Sequence, residues 1–349
     1  MTAKVSARIC LMALIAVSAL AAPGLEGFAR SRKVVEAPPP PLPPAKPVGL
    51  PTALLADAAA YEAYLARTTA ISTGFTDGGS VASALRTAAA YEPTALIRGA
   101  VAYGAVAALE DPTFVADVRA AGNSPENRRI IVGYIVANPA YAFQFKNADV
   151  AAGLAKEALG GAALRLYAEG KAIKQSAYQV QHQSWSKTDV ADRPGRLAAV
   201  EASANAPIQP AGDRVPVLEA AASGTQPQAL PFVAQPAKPP YTPLLARSMQ
   251  IAAIAALGEA GDDAYDRLVA LTDDGATHTC LHMAKLNLYQ CLAVAKPNYE
   301  DIFCMGQHVM MDTGACLAKN AGVEMPAPPP APPPVVAPAP AKHRRSAHR

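Results

Sequence analysis

Nowhere in the chain do two cysteines stand at Cys-x-x-Cys spacing, and no Cys-x-x-Cys-His occurs. That excludes a thiol-exchange motif, covalent haem attachment and the usual paired ligands of a structural zinc site. Gly-x-Ser-x-Gly, Gly-x-Gly-x-x-Gly, the phosphate-binding loop and His-Glu-x-x-His are missing as well. Neither an acyl-hydrolase elbow, a nucleotide cradle nor a zincin helix is therefore written in the sequence. Charge of either sign is scarce and balanced, 31 Lys+Arg against 28 Asp+Glu for a net +3. This gives no global argument for nucleic acid or an anionic surface as partner. Strict apolar-polar alternation between hairpin turns is also lacking, which argues against sheet.

The first residues are informative. Lys4 and Arg8 precede an uncharged run from Ile9 to Ala22, with small residues at Ala19 and Ala21. This is the order of a secretory signal peptide cleaved near Ala21, and the run falls short of the roughly twenty residues that span a bilayer. The expectation is an exported protein, secreted or resident in a bacterial periplasm, with no transmembrane segment after cleavage.

Proline, 33 residues in all, divides the chain. Pro/Ala-rich stretches at 37–47 and 325–341 favour extended polyproline II and cannot build a core. A third proline-dense region lies within 207–243. The expected layout is a signal peptide at 1–21, a Pro-rich spacer at 22–50, an Ala-rich helical domain at 51–206 and a smaller helical domain at 244–322. Residues 207–243 would be a linker between the two domains or a strap across one. Residues 323–349 would be a Pro/Ala-rich tail ending in Lys342, Arg344, Arg345 and Arg349, a possible contact for an anionic envelope polymer.

The fold class is all-α. Asp111-Pro112, Ser124-Pro125 and Asn138-Pro139 each place a capping side chain before an N1 proline, predicting three helix starts. Gly160-Gly161 is expected to end one helix and begin the next. Four of the five cysteines fall at 280, 291, 304 and 316, around a helix break at Pro297. If His278–Ala295 and Asn298 to about Thr313 form an antiparallel hairpin, the pairs Cys291–Cys304 and Cys280–Cys316 nest about a common centre. Cys280 and Cys291 share a face but stand about 16 Å apart along the helix, so they cannot bond to each other. One difficulty remains: Cys304 and Cys316 lie about 120° apart on an ideal helix, and Gly314 is the expected break that re-aims the second. Two disulfides also agree with an oxidising compartment.

Catalytic and metal signals are thin. Ser184 and Lys187 match Ser-x-x-Lys without the further elements of penicillin-recognising enzymes. His278 and His282 share a face at i, i+4 without a third ligand, and His308 is expected as a hydrogen-bonded seam residue. The cluster Asp262, Asp263, Asp266, Asp273 and Asp274 lacks the alternating ligands of a calcium loop and reads as helix caps. No catalytic residue, metal or cofactor is assigned, and no nucleic acid is expected as partner. The expected role is a non-catalytic interaction or scaffold module of the envelope, with a protein or anionic-polymer partner; the alternative is a hydrolase of an envelope polymer acting through Ser184 and Lys187.

Overall fold

A computed structural model describes residues 46–225, 229–233 and 235–327. Residues 1–45, on which the expected signal peptide and most of the expected first spacer fall, and residues 328–349, with the four basic residues of the expected tail, lie outside the described residues. Those described form fourteen α-helices and no strand, all within the unit Pro44–Arg349.

The three Asx/Ser-Pro signals work as their chemistry dictates. Asp111 caps α4 (Pro112–Ala121) through Thr113 N and Phe114 N, and Ser124 caps α5 (Pro125–Ala137) through Asn127 N. Asn138 caps a six-residue 3-10 helix at Pro139–Gln144. Helix α1 (Thr52–Thr69) begins after Pro51, which has no side-chain acceptor, and its orphan Thr52 N–H is instead satisfied 2.8 Å away by Asp262. Part of the acidic cluster thus caps a helix more than two hundred residues away.

Helix α3 (Pro93–Leu109) is the centre, buried on every side from Gly99 to Leu109. Helix α10 (Pro243–Ala256), buried along its whole last half, packs on it, as do α1 and α6 (Ala148–Val180). A helix apolar all round belongs inside a layered bundle, and these four make that interior. Helices from both halves of the chain therefore share one continuous core. The separation into domains at 51–206 and 244–322 is not how these residues pack, because α3 cannot be covered without α10.

The described residues of the 207–243 region lie as a strap along this core. Its helix α9 (Arg214–Ser223) buries Leu218, Ala221 and Ala222 against α1 and α3. Leu230 is buried, its N–H donates to Glu110, and Phe232 meets the Tyr103 ring edge-on. Further along, Ala237 N–H donates to the Asp149 carbonyl, and Gln235 backbone crosses Gly153 so closely that a side chain at 153 would collide with it.

Helix α6 runs unbroken for 33 residues through the Gly160-Gly161 pair expected to divide it. Gly160 is small for a packing reason: a methyl group there would occupy the site of the Val323 side chain.

Candidate functional site

The cysteine segment folds as an antiparallel hairpin of α12 (Gly275–Val294) against a composite helix. The second arm is α13 (Asn298–Cys304), a π-helical stretch Met305–Asp312, and α14 (Thr313–Asn320). Cys280 bonds to Cys316 and Cys291 to Cys304, each pair with Cα atoms 5.7 Å apart, within the ordinary disulfide range. The nested pairing is thus the observed one.

The 120° mismatch is solved by the π stretch rather than by Gly314. An i-to-i+5 helix winds more slowly than an α-helix. A lag of roughly 15–20° per residue over the eight residues Met305–Asp312 accumulates to about 120–160°, returning Cys316 to the face of Cys304. The same winding lets Gln307 donate to Asp312 at i+5 over 3.0 Å. Gly314 serves another end: a methyl there would meet Tyr167 N and the Ala163 carbonyl of α6 at 2.7 and 2.8 Å. Gly170 and Gly306 are in the same position, each facing the other helix's backbone. The second arm therefore lies on α6 backbone to backbone.

The turn of the hairpin is held from α8 (Arg193–Ala204). Arg193 donates to the Ala293 and Ala295 carbonyls, and Arg196 to Leu292, so two guanidinium groups occupy the orphan carbonyls at the end of α12. Arg196 also pairs with buried Asp301, whose carboxyl burial pushes up to about 6 while the guanidinium opposes the shift. Asn298 is the first helical residue of α13 and donates to the Trp185 and Thr188 carbonyls.

Behind α12, Lys285 is buried without an acidic partner. Its ammonium donates to the carbonyls of Ala89 and Ala204, the last residues of α2 (Gly78–Ala89) and α8, and stands 4.1 Å from the Tyr91 ring centre. Two helix C-termini and a π face hold the cation. Burial nevertheless lowers the Lys285 pKa from 10.5 to about 7, with Glu92 opposing. The only charged side chain within α12 was the signal for this residue.

The remaining sequence candidates are scattered. Ser184 and Lys187 lie on a four-residue helix, α7, both exposed, and the pair forms no hydrogen bond; buried Ser186 donates to Val180 and Gln183 carbonyls instead. The His278 and His282 rings are parallel, 6.3 Å apart and exposed, and no group of three potential metal ligands occurs among the described residues. His308 is 2.9 Å from Asp312, in a polar chain that continues through Gln307 to Lys174. Asp274 caps α12.

Besides Gly275, Ala276 and Ala293, α12 shows to solvent His278, Thr279, His282, Met283, Leu286, Gln290 and Val294, with no Asp, Glu, Lys or Arg among them. Met283, Leu286 and Val294 are 46%, 38% and 74% exposed. Both cysteines that anchor the helix lie along the flank of this face, half-buried. No protein-family model, no curated protein and no solved structure matches the chain. Among the described residues, no helix is long and apolar enough to cross a membrane.

Proposed function

We propose that this chain is an exported, non-catalytic interaction module whose recognition surface is the outer face of α12. One observation carries the reading: a 20-residue helix exposes Met283, Leu286 and Val294 in a stripe free of formal charge, on an element pinned by two disulfides. A rigid apolar face loses little conformational freedom on docking, so its burial is available for affinity. The partner suited to it is a protein surface that is itself apolar and weakly charged, since an acidic or basic polymer finds no complementary charge on this face. Export is supported by the disulfides, which persist in oxidising compartments. The hydrolase alternative is not favoured by exposed Ser184 and Lys187, which lack the hydrogen bond by which a base activates a nucleophile.

The test is site-specific photo-crosslinking in cells that make the protein naturally. A photoreactive residue at Leu286 or Val294 should give one discrete adduct and at exposed Glu157 none, and Leu286→Glu should abolish the adduct formed from position 294. Equal labelling from 157, or none from either α12 position, refutes this surface.

A further inference from the structure

A cavity of about 490 Å³ opens between α1, α6 and the strap. That is the size of sites for molecules of a few hundred daltons. Its wall is apolar, formed by Leu65, Ala66, Ala162 and the rings of Tyr61 and Tyr103, which lie 5.7 Å apart. The strap supplies the fourth side, and Arg214 fastens it there by donating to both carboxylate oxygens of Glu62 at 2.9 and 3.0 Å. That pair is satisfied internally and leaves its two charges cancelled.

Two charged side chains at the cavity have no partner of opposite sign among the described residues. Arg165 and Asp213 line the same cavity, both exposed, and neither is within ion-pair distance of an opposite charge among the described residues. The cavity therefore presents one open cation and one open anion around an apolar wall.

We propose that this cavity binds a short free peptide of apolar residues, its carboxylate received by Arg165 and its ammonium by Asp213. An uncharged amphiphile would leave both charges unused, and a simple fatty anion would meet Asp213 unfavourably. A zwitterion answers each group with its complement, while apolar side chains cover the Leu65 and Ala162 wall. The proposal is independent of the α12 surface.

The experiment is calorimetric titration of the full-length protein with L-leucyl-L-leucine, its C-terminal amide and its N-acetyl derivative. The free dipeptide should bind, and loss of either terminal charge should weaken binding at least tenfold. Arg165→Gln should erase the preference for the acid over the amide only, and Asp213→Asn the preference over the acetylated form only. Both positions are exposed, so the folds of these variants, checked by unchanged melting temperatures, are preserved. Ala66→Trp, at an exposed position on the cavity's edge, should block all binding. Absence of dipeptide binding, equal affinity for the three compounds, or affinities indifferent to Arg165→Gln would overturn the proposal.

Discussion

At the scale of single residues, buried charge is placed where helix ends need it. Lys285, Arg193 and Arg196 between them take five carbonyls at the C-termini of three helices. Burial moves Lys285 toward neutrality, and the sign of that shift fixes a pH dependence. Its pKa is about 7 when folded and near 10.5 when unfolded. Between those values the unfolded chain holds more protons than the folded one, so this residue's contribution to stability rises with pH. Its desolvation penalty is fully present below about pH 7 and is relieved toward pH 10.5. Urea unfolding from pH 7 to 10.5 should show stability increasing in the parent relative to Lys285→Met, at up to about 1.4 kcal/mol per pH unit. Parallel profiles for the two proteins would mean that Lys285 stays charged throughout. Its identity as an odd residue was visible in the sequence, whereas its partners were not, because Ala89 and Ala204 contribute only backbone.

At the scale of elements, the glycines divide into those that let backbones meet and those that face open space. A methyl at Gly170 would stand 2.7 Å from both Met310 Cβ and Met311 N, groups fixed by the π-helical stretch. Gly133 on α5 has nothing within 4 Å. Gly170→Ala should therefore destabilise by about 1–3 kcal/mol by forcing α6 from the hairpin, while Gly133→Ala should stabilise by about 0.4–1 kcal/mol. Chemical denaturation of both variants checks the contrast, and equal small effects would refute the backbone-to-backbone seam. Local signals explain what the sequence disclosed of these elements: Asp111, Ser124 and Asn138 cap helices beside a proline, and cysteine spacing fixes the hairpin pairing. Gly160-Gly161 was misleading for the converse reason. A glycine that ends a helix and one that admits Val323 carry the same letter, and only the distant partner distinguishes them. The π stretch was hidden similarly, its existence betrayed only by the failure of Cys304 and Cys316 to share a face on an ideal α-helix.

At the scale of the whole molecule, proline density suggested a boundary where the chain instead lays a strap. Such composition reports that a segment will not form long helices, and it says nothing about whether Leu218, Leu230 and Phe232 find a surface. They find one on α1 and α3, so the Tyr61 cavity, one wall of which is strap, could not be foreseen from either half alone. Two separate domains would respond to disulfide reduction independently, the C-terminal one losing its staples while the other stood. A shared core predicts otherwise. The hairpin's second arm lies on α6, α10 covers α3, and α8 grips the hairpin turn through Arg193 and Arg196. Each bridge contributes about 2–4 kcal/mol, chiefly by restricting the unfolded chain, and that loss should fall on the molecule as one cooperative unit. Thermal melts followed by helical ellipticity and by fluorescence of Trp185, the sole tryptophan, should coincide in oxidised protein. With reductant both should move together to lower temperature. An ellipticity curve that splits into two transitions under reductant would restore the independent C-terminal domain, because α10 and α14 could then leave α3 and α6 without exposing the core that they are seen to complete.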